Sequence, residues 1–99
     1  MWKLWLDDER PCLYDESEGW VRARSSAEAR KLVMQFGPPE RMSLDHDLGG
    51  EDTAMVFVRW LSDNHFEKLP EWQIHSQNPV GIENLKSFLL SWERVKNNS

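Results

Sequence analysis

Three short clusters hold most of the residues in this chain that could do chemistry. They are Asp7-Asp8-Glu9-Arg10, Asp45-His46-Asp47 and His75-Ser76-Gln77-Asn78. Each follows a short, largely apolar run, so each is expected at the end of a strand. Carboxylates held close together repel unless a cation sits among them or one takes up a proton. Asp7, Asp8 and Asp45, with Asp47 beside them, are therefore expected to make an oxygen-rich site for a divalent metal, Mg²⁺ or Mn²⁺. Such ions prefer oxygen ligands and leave room for a substrate phosphate. His46 and His75 are candidates for general acid and base, because imidazole titrates near neutral pH. Plainer readings exist: aspartates cap helices, and a histidine beside a strand is commonly a hydrogen-bonded structural residue.

A second expectation concerns phosphate. Asn78-Pro79 pairs a helix-capping residue with proline at the first helical position. The N-terminus of that helix would point free amides at the strand ends, and such ends bind phosphate. Ser76, Gln77 and Asn78 add donors, and Gly81 removes a side chain where an anion would approach. Arg10 either pairs with Glu9 or clamps the phosphate. The plainer alternative is an ordinary capped helix. His65 falls in a connection at the far end of the sheet and reads as surface. The tryptophans read as core, with Trp5 or Trp72 the two that could stack on a base.

The elements that must position these clusters follow from patterning. Trp2–Leu6 and Met42–Leu44 read as buried strands, and Trp20–Arg24 alternates as an edge strand would. Trp72–Ile74 makes a fourth strand, and the polar segment 11–19 a loop. Ser25 and Glu28 have capping-box spacing ahead of a helical stripe at Ala29, Leu32, Val33 and Phe36, ended by Gly37-Pro38-Pro39. Asp52 or Thr53 would cap the next helix, with Ala54, Phe57, Val58 and Leu61 on its apolar face and Met55 and Trp60 flanking. The last helix is expected over Pro79–Trp92, with Ile82, Leu85, Phe88 and Leu89 inward and a frayed polar tail from about Lys96.

Strands alternating with helices predict an α/β fold with a parallel sheet and right-handed crossovers. The expected architecture is a small flavodoxin-like sheet of four strands in order 2-1-3-4 with about three helices. In that arrangement the three polar clusters meet at one end of the sheet, where ligands bind in such folds.

The 99 residues are expected to form one domain, spanning residues 1–99. Such a chain buries roughly 60–65% of its unfolded surface, so its core must be dense; six tryptophans and four phenylalanines supply that area. A net charge of −5 argues against a broad duplex-DNA surface, which needs excess Lys and Arg. Cys12 has no partner for an internal disulfide, which fits a reducing compartment. No run approaches the roughly 20 apolar residues of a membrane span. A cytoplasmic protein with no membrane contact is the resulting expectation.

The segments LWLDDERP, SLDHDLGG and IHSQNPVG together resemble the cyclic-phosphate processing receiver-like domain family, a branch of the receiver fold. The resemblance runs from residue 2 to about 90. It implies a receiver-type fold and the processing of a cyclic phosphate, such as a cyclic nucleotide or an RNA 2′,3′-cyclic phosphate end. Compared with a signalling receiver, Asp7 and Asp8 resemble the acidic metal-binding pair, Asp45 the phosphoacceptor and Ser76 the hydroxyl residue. The strand that carries the receiver lysine has no counterpart, and His46, His75 and Asn78 are additions.

The expected activity is a metal-assisted phosphodiesterase. The ion, held by Asp8 and Asp45 with Asp7 and Asp47 assisting, would neutralise phosphoryl oxygens and activate water. One histidine would deprotonate the water and the other would protonate the leaving ribose oxygen. Direct attack by Asp45 is the alternative route. Two rival functions are a module that captures a cyclic nucleotide without turnover, as a sponge or sensor, and a degenerate signalling receiver.

Overall fold

The computed structural model describes residues 1–98. Four strands of four residues each, β1 (Lys3–Leu6), β2 (Trp20–Ala23), β3 (Arg41–Leu44) and β4 (Glu71–Ile74), form one sheet. All pairings are parallel, in the order β2-β1-β3-β4. Three helices, α1 (Ser26–Phe36), α2 (Ala54–Asn64) and α3 (Pro79–Asn97), complete the α/β receiver-like fold. Fold class, strand order and helix number agree with the sequence expectation. Among the described residues no helix is long and apolar enough to cross a membrane.

Chain direction explains why the helices share one face. From β2 through β3 to β4 the chain advances one way across the sheet, so right-handed crossovers place α1 and α2 on the same side. There α1 packs on α2, and α2 on α3. The step from β1 to β2 runs the other way, and its connection crosses the opposite face. That connection contains one 3₁₀ turn, Glu16–Glu18, and no α-helix.

Strand alternation sorts residues between the two faces. Leu4, Leu6, Met42 and Leu44 point under the helices and are wholly buried with Ala29, Phe57, Val58, Leu61, Leu85 and Leu89. On the helix-free face, register places Trp5 beside Ser43, and Ser43 beside Gln73. Tyr14, from the β1–β2 connection, covers this face by stacking on Trp20 at 4.6 Å and meeting Trp5 edge-on at 5.9 Å.

Four local expectations need correction. The α3 helix runs five residues past Trp92, because Glu93, Arg94, Val95 and Lys96 continue the helix after the apolar stripe ends, and the basic pair favours the last turn. Of the expected tail, Ser99 lies outside the described residues. Thr53 is the N-cap of α2 but makes no side-chain cap bond. Asp52 instead clamps α1, accepting from the Ser26 amide at 2.8 Å and the Ser26 hydroxyl at 2.6 Å. Neither tryptophan proposed to stack on a base is placed to do so: Trp5 is buried, and Trp72 packs on the core in the first half of β4.

Candidate functional site

The helix-free face leads directly into the site. Asp7, Asp45 and His75 stand two residues beyond Trp5, Ser43 and Gln73, so alternation keeps them on the same side. Asp7 is wholly buried. Its Oδ1 accepts from the Glu9 and Arg10 amides, both at 2.9 Å, and its Oδ2 pairs with His75 Nε2 at 3.0 Å. Burial pushes the Asp7 carboxyl up, but those amides and His75 outweigh it and hold it below the ordinary carboxylate value. Arg10 Nε lies 3.6 Å from Asp7 Oδ2, so Arg10 pairs with Asp7 rather than with Glu9.

Asp8 and Asp45 face Asp7 at the mouth of the sheet. One carboxylate oxygen from each of the three lies within 4.8 Å of the others. Burial, and then repulsion from Asp7, raise the Asp45 carboxyl above its ordinary value, with Ser76 offsetting part of the rise. A hard cation among the three would cancel that repulsion. The donor set, all carboxylate oxygen, fits a divalent ion of the Mg²⁺ or Mn²⁺ type. Gly49 closes this corner: at φ +89° it favours glycine, and a Cβ there would stand 3.2 Å from Asp8 Oδ2.

An open cleft of about 550 Å³ lies above the carboxylates. Glu9 and Arg10 border it on one side, Asp47 and Gly50 on another, and Ser76, Gln77 and Asn78 on a third. The structure therefore brings all three sequence clusters to one place. Not every residue has the expected position within it.

Asp47 sits at the rim, outside the group of three. Its Oδ1 pairs with His46 Nδ1 at 3.0 Å and its Oδ2 accepts from Asn78 Nδ2 at 3.1 Å; His46 first, then Asn78, hold this carboxyl below its ordinary value. The expected fourth metal ligand is committed elsewhere. His46 does not line the cleft: its ring packs on Gly81, where any Cβ would collide with it. Gly81 thus makes room for a histidine, not for an anion. Its amide donates to Asn78 Oδ1 at 3.1 Å, and Pro79 has no N–H, so two of the first-turn positions offer no free amide to a phosphate. The Asn78 amide in turn donates to Ser76 Oγ at 3.1 Å.

His75 uses both ring nitrogens, Nδ1 with Ser43 Oγ at 2.7 Å and Nε2 with Asp7. Its ring stacks on Trp5 with centroids 4.0 Å apart and planes 10° from parallel. Burial pushes the imidazole below its ordinary value, and the neighbouring Asp7 and Asp45 charges recover only part of the loss. Sequence reading missed Ser43, Gln73 and Tyr14, which support it. One signal was available: Ser43 and Gln73 are polar residues inside strands, two positions before Asp45 and His75.

A four-stranded parallel receiver-like sheet with an acidic trio at its carboxyl end defines the class of this protein. The family model of the cyclic-phosphate processing receiver domain matches residues 2–91, and the chain belongs to that family. No curated protein and no solved structure matches it.

Proposed function

We propose that this domain binds a cyclic phosphate in the cleft above Asp7, Asp8 and Asp45 and opens the ring by metal-assisted hydrolysis. The observation that carries the reading is the meeting of three carboxylates within 4.8 Å beneath an open polar cleft, in a family tied by name to cyclic-phosphate processing. A bound divalent ion would neutralise phosphoryl oxygens and acidify water. Asp7, Asp8 and Asp45 would hold it, and Arg10 would meet a phosphate oxygen from the cleft wall. The cleft is open, so attacking water would pass its proton to solvent while the three carboxylates hold the ion. The water oxygen would form a P–O bond and lose its proton to solvent, one ring P–O bond would break, and the released sugar oxygen would take a proton back from solvent through the open cleft.

Charge supports a cyclic substrate over a linear monoester. Asp7, Asp8, Glu9, Asp45 and Asp47 face a single guanidinium in the cleft wall, Arg10. A cyclic diester carries one negative charge and its monoester product close to two, so the site repels product more strongly than substrate. A cyclic nucleotide or a cyclic-phosphate end of RNA fits this requirement.

One observation favours a second reading, capture without turnover. Neither His46 nor His75 lines the cleft, so neither is in place to supply the proton for the leaving oxygen. A turnover assay with Mg²⁺ or Mn²⁺ separates the two. Its panel holds nucleoside 2′,3′- and 3′,5′-cyclic phosphates and cyclic-ended RNA. Ring opening that is lost in Asp45→Asn and Asp8→Asn establishes the hydrolase. Ligand that elutes with the protein unchanged establishes capture, and neither result would sink both.

A further inference from the structure

On the helix-free face of the sheet, a line of hydrogen bonds runs from Tyr14 to the Asp7 carboxylate. Gln73 Nε2 donates to Tyr14 Oη and to Ser43 Oγ, each at 3.0 Å. Ser43 is wholly buried and has one hydrogen to give. Gln73 donates to its oxygen, which leaves His75 Nδ1, 2.7 Å away, as the one acceptor among the described residues that this hydrogen meets. Nδ1 is then an acceptor, so the ring proton sits on Nε2 and donates to Asp7 Oδ2 at 3.0 Å. The other tautomer would set the bare Nε2 lone pair against a carboxylate oxygen. Trp5, stacked on the ring, fixes its plane.

We propose that Gln73 and Ser43 set the direction of this line, so that His75 is a positioning residue that holds Asp7 for the cation. His75 is thereby removed from acid–base work in ring opening. The inference uses the reading of Asp7 as a cation ligand and adds three residues to the machinery: Ser43, Gln73 and, at its outer end, Tyr14. Outer-shell partners of metal ligands typically change metal affinity on the order of 10- to 100-fold when removed. His75 stands in that relation to Asp7, and Gln73 stands two bonds further out.

Long-range ¹H–¹⁵N NMR correlation on the metal-free full chain reads the tautomer. The expected result at neutral pH is a proton on Nε2 and none on Nδ1; a protonated Nδ1 overturns the proposal. Gln73→Glu, at an exposed position, replaces a donor with an acceptor. It should draw the Ser43 hydrogen outward and leave a proton on His75 Nδ1. An unchanged ring in that variant overturns the role of Gln73. Mn²⁺ binding supplies the functional arm. His75→Ala should weaken it about tenfold, while His75→Gln, whose amide nitrogen reaches the same acceptor, should restore most of the loss. Equal weakening in both overturns positioning. If the native chain binds no Mn²⁺ yet shows Nε2–H alone, the cation reading of the cleft fails and the directed line remains.

Discussion

The two faces of the sheet obey the same strand geometry and solve opposite problems. Under the helices, Leu4, Leu6, Met42 and Leu44 belong to one buried hydrophobic cluster, and non-directional burial holds them. On the helix-free face, Ser43, Gln73 and His75 sit beside Trp5, and directed hydrogen bonds decide their arrangement. Only the second face continues into the carboxylates, through the i, i+2 relation of Trp5 to Asp7, Ser43 to Asp45 and Gln73 to His75. The dry face supplies stability and the polar face supplies orientation.

The largest expected effect tests the dry face. Leu6→Ala or Phe57→Ala should lower the free energy of unfolding by about 2–5 kcal/mol, read by urea titration. Mn²⁺ affinity of the molecules that remain folded should be unchanged. A matching loss of affinity would break the division between the faces.

Gly81→Ala comes next. Its methyl group would enter the space of the His46 ring, and the overpacking should cost about 1–3 kcal/mol in thermal or urea unfolding. A neutral result would mean that His46 moves freely and is not held by α3.

Asp45→Asn sharpens the comparison because it should have opposite effects on stability and binding. In the metal-free chain at neutral pH it removes a repelled charge and should stabilise by about 1 kcal/mol while Mn²⁺ binding is lost. The native Asp45 carboxyl is raised, so between 3.8 and its folded value the folded chain holds more protons than the unfolded one, and stability falls as pH rises through that window. The advantage of the variant should therefore be full above that window and fade as pH is lowered through it. Variants compared by calorimetry at several pH values would show it. A destabilised Asp45→Asn would argue that the trio is held by hydrogen bonds rather than by a missing cation.

The smallest effect belongs to His75. Its folded value lies below 6.5, so the unfolded chain takes up the extra proton. The stabilisation is complete above 6.5 and is lost as pH falls from there toward the folded value. His75→Gln should remove that slope from the pH dependence of the melting temperature. Persistence of the slope would assign it to another group.

Most of the architecture was legible because it depends on local patterns. Apolar runs ending in polar clusters marked the strands, and the Ser25–Glu28 spacing marked the start of α1, where Ser25 Oγ accepts from the Glu28 amide at 3.1 Å. Glu28 reaches one residue further than a capping box requires, to the Arg24 amide at 2.8 Å. The boundary of α3 was misread because an apolar stripe reports burial, whereas the helix continues on propensity after burial ends. Within the site, Asp7, Asp8 and Asp45 were legible as a trio, since parallel strands in order 2-1-3-4 bring those ends together. The place of Asp47 outside that trio was not legible, because adjacency in sequence says nothing about which partner a side chain takes.

By itself, then, the sequence determined which residues sit at strand ends, which face of each strand is apolar, and that acidic groups outnumber basic ones where the strands converge. Tertiary structure decided how those groups are used. It turned Gly81 toward His46, tied Asp52 to α1, and gave both nitrogens of His75 to Ser43 and Asp7. The reason is physical: strand and helix periodicity is a property of neighbouring residues, whereas a hydrogen-bond partner 32 or 68 residues away exists only once the sheet has brought it within 3 Å.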